Sequence, residues 1–312
     1  MGMKTRLRGE LCSALSVACF LGAVILSSAG VEIDTVKIEQ LTGLKGVLNE
    51  SEGVFKVSAP RSDLKVSVDK WVMPPFMGLT SWAAFMKGMK ADAMVMGDLV
   101  LFEDEVNPVM SAALDNGLAV TALHNHFFYD ESKVYFMHIG GEGSVEQLAT
   151  GVRKALDKVK EIRAANPKPA STFGGKSIPT QSAITGKPIE DVLAVKGQSK
   201  DGMFKVVLGR KTKMPDGCDV GKEMGVNTWA AFAGNDDNAV VDGDFAVLEA
   251  ELQSVLKALR KAGINIVAIH QHMTGESPRI LFLHYWGRDK TVDLASGIKA
   301  ALDTQTAKPE SK

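Results

Sequence analysis

The chain has 312 residues, of which 45% are hydrophobic and 23% charged, and its formal net charge is -1. That length is ample for two ordinary domains, and the near-neutral balance excludes bulk electrostatic attraction to nucleic acid or to an anionic membrane surface.

Residues 1–30 read as a signal peptide. Lys4, Arg6 and Arg8 precede an apolar run from Leu11 to Leu26, and Ser27-Ser28-Ala29-Gly30 supplies small residues for cleavage. Export to the periplasm or the cell exterior is therefore expected, with no transmembrane span left after removal of the leader, since no later segment is long and apolar enough. Cys12 and Cys19 lie in the leader and Cys218 stands alone after it, so the mature chain has no intrachain disulfide to form. A lipid anchor at Cys19 is the lesser alternative, because the apolar run continues past it.

After upstream strands around Phe55 and Leu64, "AMVMGDLVLF" (93–102) is the next strand expected, followed by a helix over "EDEVNPVMSAALDNG" that stops at Gly117. "LAVTALHNHFF" and "KVYFMHI" are apolar, branched and aromatic runs on either side of "YDES", the pattern of a β-hairpin. Ser144 then caps a helix whose stripe is Val145, Leu148, Val152, Leu156 and Val159. Strand, helix, strand, strand, helix is most of a ferredoxin-like unit. The class expected is α+β.

The same elements then recur. Gly97-Asp98, Glu103, Glu105 and Gly117 reappear 146 positions on as Gly243-Asp244, Glu249, Glu251 and Gly263. "SWAAF" from Ser81 returns as "TWAAF" from Thr228, and "FKV" at Phe55 returns at Phe204. The expected organisation is a tandem duplication of a ferredoxin-like domain with pseudo-twofold symmetry: a first repeat over 31–165, a linker over 166–188 rich in Pro, Gly, Ser and Thr, a second repeat over 189–304, and a charged tail over 305–312. Both faces of each hairpin carry apolar residues. The two repeats are therefore expected to pack sheet against sheet.

The stretches "APRSDLKVSVD", "MGDLVLFEDEVNPVM", "GLAVTALHNH" and "LASGIKAALD" resemble the LppY/LpqO family of exported bacterial proteins, over nearly the whole mature chain. The resemblance implies export and supplies no catalytic residues. Two positions depart from it: Gln271 stands where that family usually has Asn, and the second repeat keeps Arg210 but not the Pro-Arg-x-Asp pattern of Pro60, Arg61 and Asp63.

All six histidines of the chain fall in the two hairpins: His124, His126 and His138, then His270, His272 and His284. Residues two apart on a strand share a face, so His124 and His126 project together. A hairpin turn centred near Glu131 would set His138 directly opposite His124, and likewise His284 opposite His270. Three imidazoles so placed can hold a divalent transition metal and leave a position for water or substrate. Zinc is favoured, while copper, iron and nickel also accept imidazole. Asp130 and Glu276, four residues after the second histidine of each hairpin, are candidate fourth ligands. Asp98 and Asp244 are candidates to orient a ligand histidine.

Two functions follow from this pattern. One is a metal-dependent hydrolase or lyase acting on a small molecule. The other is a non-catalytic metal- or ligand-binding protein of the envelope with structural histidine clusters. Glu103, Glu105, Glu249 and Glu251 are expected to serve the positive ends of their helices. Arg61 and Arg210 are expected in surface salt bridges.

Overall fold

A computed structural model describes residues 33–63 and 65–306. The expected signal peptide and residues 307–312 of the expected tail lie outside the described residues. Twelve strands form one sheet: β1 (Gly46–Asn49), β2 (Val54–Pro60), β3 (Thr80–Lys87), β4 (Ala93–Phe102), β5 (Ala119–His124) and β6 (Val134–Gly143) from the first repeat, then β7 (Gly197–Lys200), β8 (Met203–Gly209), β9 (Asn227–Asn235), β10 (Asn238–Leu248), β11 (Asn265–His270) and β12 (Ile280–Asp289) from the second. Their spatial order is β1-β2-β3-β4-β6-β5-β11-β12-β10-β9-β8-β7, and neighbours run antiparallel throughout.

Helices α1 (Thr35–Thr42), α2 (Glu103–Asp115), α3 (Val145–Ala165), α4 (Gly186–Leu193), α5 (Leu252–Lys261) and α6 (Thr291–Leu302) share a single apolar core with one face of that sheet. Alternation along the strands selects the face. On β4, Ala93, Val95, Leu99 and Leu101 join the helical core, while Met94, Met96 and Asp98 take the other side. Gly97 sits where a Cβ would lie 2.6 Å from the Trp82 carbonyl oxygen. At its counterpart Gly243 a Cβ would collide with the Tyr285 ring at 2.2 Å, so both strands can be this close only because the residue before the aspartate has no side chain.

The ferredoxin-like reading is corrected by this order. A ferredoxin-like unit needs a fourth strand after its second helix, beside the first strand. Here α3 leads into the region between the repeats, and the place beside β4 is taken by β3, which precedes it in the chain. The upstream strands β1 and β2 then extend the sheet, and the two repeats merge into one twelve-stranded layer.

The expected sheet-on-sheet packing is corrected too. The repeats meet edge to edge, at Leu123 and Ile269 of β5 and β11. Beyond that pair the strands part, and a side-chain amide from the other repeat's helix takes over the ladder. Asn107 on α2 accepts from the Ile266 amide at 2.7 Å and donates to its carbonyl at 3.0 Å. Gln253 on α5 does the same for Val120, at 2.9 and 2.8 Å. Each repeat thus satisfies buried backbone groups of its partner.

Arg61 and Arg210 are not at the surface. Arg61 makes paired bonds to Glu105 at 2.7 and 2.9 Å, and Arg210 reaches Glu251 at 2.6 Å, with all four side chains buried. Glu105 and Glu251 also accept the amides of Phe102 and Leu248, closing the helix starts they had been expected to serve through the dipole alone. Gln305 and Thr306, the first residues of the expected tail, are bonded to Glu251.

Candidate metal centre

The histidines lie on the sheet face away from the helices. At the turn end of the hairpin this face is covered by a small cluster in which Val66, Met73 and Leu79 pack on Val100, Phe102, Val134 and Phe136. Further along the face is open.

The register is shifted by two residues from the expected one. His138 is opposite Ala122 and His124 opposite Phe136, with an irregularity between Val120 and Ala122. The second hairpin repeats this with His284 opposite Ala268 and His270 opposite Phe282. The segment after His124 does not turn back at once: Asp130 and Glu131 first pair with Val68 and Ser67. The histidines are therefore diagonal neighbours on one face, which still lets long side chains meet.

In the first repeat His138 Nε2 stands 3.1 Å from His124 Nε2. That separation fits one shared proton, with one ring donating and the other accepting. His126 stacks on Phe136 with ring centres 3.3 Å apart and an interplanar angle of 3°. Burial lowers the His126 pKa below its ordinary value, and nearby His124 lowers it further, against the pull of Asp98.

In the second repeat His272 stacks on Phe282 at 3.5 Å, and its Nε2 lies 3.3 Å from Asp244 Oδ2. Ligand-type atoms of Asp244, His270 and His284 all lie within 4.8 Å of one another. Bonds of about 2.1 Å at tetrahedral angles would need separations of about 3.4 Å, so a modest closure brings this set onto one ion. Asp244 is only 2% exposed. Its Oδ1 and His270 Nε2 are buried and have no hydrogen-bond partner among the described residues. Burial lowers the His270 pKa, opposed by Asp244 and reinforced by His284 and His272.

The aspartates are positioned by the ladder. Asp98 pairs with His138 across β4 and β6, and Asp244 pairs with His284 across β10 and β12. Asp130 and Glu276 are placed elsewhere: Asp130 accepts the Val134 amide at 2.9 Å and Glu276 the Ile280 amide at 3.1 Å, so each holds its own loop against the start of the next strand. Neither belongs to the close group of ligand atoms.

Two pairs were not singled out from sequence. Lys56 lies over Trp82 and Lys205 over Trp229, next to the aspartates on the open face. Their signal was present, since the lysines are the middle residues of the repeated "FKV" and the tryptophans the first residues of the repeated "WAAF".

Fold and site together define a duplicated protein whose twelve-stranded sheet carries an Asp-His-His group on its open face, with Asp244 buried and His270 and His284 half-buried. The family model described as Domain of Unknown Function (DUF1259) matches residues 36–158 and 187–304, well over half of the chain, and the protein belongs to that family. No curated protein matches it. Among solved structures, a trimeric bacterial microcompartment shell protein, PduB, aligns over 85% of this chain and 96% of its own, at 12% identity and a TM-score of 0.22. Among the described residues no helix is long and apolar enough to cross a membrane.

Proposed function

We propose that the protein binds a divalent transition metal in its second repeat through Asp244, His270 and His284, and that it acts there as a metal-dependent hydrolase or lyase on a small molecule. The observation that supports this is a pair of orphaned buried atoms, Asp244 Oδ1 and His270 Nε2, on two residues of one group whose ligand-type atoms lie within 4.8 Å of one another. A buried carboxylate oxygen and a buried imidazole nitrogen left without partners each cost free energy, even though the other oxygen of Asp244 faces His272, and a shared cation removes both costs. Two imidazoles and one carboxylate suit zinc, and leave a coordination position for water. Copper, iron and nickel accept the same donors.

A second reading has its own observation. His272 Nε2 lies near Asp244, and if it also ligates, the coordination sphere is closed and the protein holds metal without chemistry.

The test is metal analysis of the untagged mature chain after separate reconstitution with the four ions and dialysis. One retained ion per chain is expected, with affinity lowered about 100-fold or more in Asp244→Asn and His284→Ala. Retention of none of the four ions removes the reading. Cobalt substitution separates its two forms: an open site changes its spectrum with added anions, and a closed one does not.

A further inference from the structure

The open face carries a second repeated constellation beside the proposed ligands. Lys205 Nζ stands 4.1 Å from the centre of the Trp229 ring, and Lys56 Nζ stands 4.3 Å from that of Trp82. Trp229 pairs in the ladder with Asp244, which pairs with His284; Trp82, Asp98 and His138 form the same row in the first repeat. Neither lysine has a carboxylate partner among the described residues.

Positions around these rows have diverged between the repeats. Ser58 corresponds to Val207, Met96 to Asp242 and Gly140 to Trp286, all on the same face. Burial in the helical core cannot account for the retained lysine and tryptophan, because they point the other way. Their shared surroundings are the aspartate and the histidines.

In the second repeat this pair lines a cleft of about 580 Å³. Lys196, Lys222, Asn227 and one exposed acid, Glu223, also line it, and Asp244 and His272 stand along its wall. The volume is that of a small-molecule site. Lys196 is matched by Glu190 at 2.7 Å, while the ammonium of Lys205 is carried on an aromatic face, which engages none of its hydrogen-bond donors in a carboxylate contact. Such a cleft offers a cation, a flat apolar surface and a polar end.

We propose that Lys205 and Trp229 are the recognition element for a small organic acid with a flat body, its carboxylate on the Lys205 ammonium and its body along the indole. This deepens the metal reading by naming a ligand class for the same site, but recognition by the lysine and the ring operates without the ion and is tested apart from it.

The experiment is titration calorimetry of the mature chain with benzoate, in metal-free and zinc-reconstituted form, with zinc content measured on every variant. Benzoate is expected to bind the metal-free chain. Lys205→Ala is expected to weaken it about tenfold, the loss of one charge-assisted hydrogen bond. Lys205→Arg should restore most of the affinity, and Lys154→Ala, a change of an exposed lysine on α3, should leave it unchanged. Trp229→Leu should weaken benzoate more than acetate. Equal affinity in Lys205→Ala, an equal loss in Lys154→Ala, or no binding of benzoate to either form overturns the proposal. Asp244→Asn distinguishes the two readings: loss of zinc with benzoate binding kept is the expected result. A chain that takes no zinc yet binds benzoate through Lys205 defeats only the metal reading.

Discussion

Burial of imidazole has a thermodynamic consequence at single residues. His126 and His270 are both held below the ordinary histidine pKa, with burial the largest cause. Between the ordinary value of about 6.5 and the depressed folded values, the unfolded chain binds more protons than the folded one. Stability contributed by these two residues is therefore complete above about pH 6.5 and is lost as the pH falls through that window. The urea midpoint of metal-free protein is expected to stay level above about pH 7 and to drop below pH 6.5, and His126→Gln with His270→Gln should flatten that drop. A variant profile parallel to that of the parent would show that other groups carry it. The histidines themselves were legible in the sequence because they are confined to two duplicated hairpins. Asp244 was legible only as a neighbour, since nothing in "GDF" reveals that the strand beside it buries one carboxylate oxygen without a partner. Lys205 and Trp229 were hidden by their commonness: a lysine and a tryptophan in a strand read as surface and core until the register places them against Asp244.

At the level of elements, the loops that cover part of the histidine face are tied to helix starts by buried ion pairs. Arg210 reaches Glu251 and the Ala246 carbonyl, while Glu251 also takes bonds from Leu248, Thr306 and Gln305. Burial alone would raise the Glu251 pKa, but its bonds to Arg210 and to the Leu248 amide outweigh that and hold it at about 2. Removing one partner of such a pair leaves a charge without compensation. Arg210→Met is expected to cost about 3–5 kcal/mol, and the double variant Arg210→Met, Glu251→Leu to recover a good part of that. Equilibrium urea unfolding checks both values; a cost below about 1 kcal/mol for the single variant would place the pair energetically with exposed ones. From sequence the acids were readable as helix openers and the arginines as surface charges. Their pairing spans 44 and 41 positions, and no local pattern encodes it. The hairpins, by contrast, were readable as hairpins from composition. Their register was not, because the segment after His124 pairs with Val68 and Ser67 before the second strand begins, and only the tertiary structure shows that detour.

For the whole molecule, the duplication was plain in the sequence and the way the copies join was not. A repeat with apolar residues on both faces can be covered by a second sheet or by extending its own, and composition does not choose between them. Two amides choose here. Asn107 and Gln253 are counterparts at the repeat offset of 146, and each bonds the backbone of the opposite repeat, at Ile266 and Val120, which are counterparts as well. An isolated repeat would lose both the Leu123–Ile269 contact and these four bonds, and would expose the edge of β5 or β11 to any other strand. The seam therefore carries a specific, crossed prediction. Gln253→Ala lies in the second repeat, yet it should speed hydrogen exchange at the Val120 amide of the first; Asn107→Ala should do the same to the Ile266 amide of the second. Each change leaves a buried donor and acceptor unpaired, at a cost of about 1–3 kcal/mol per group, so exchange at the affected amide should rise by about tenfold or more. Exchange that speeds up only within the substituted repeat would mean that the two halves stand independently and that the sheet is continuous in geometry alone. Crossed exchange would instead make the seam a thermodynamic link between the two repeats, held by Asn107 and Gln253.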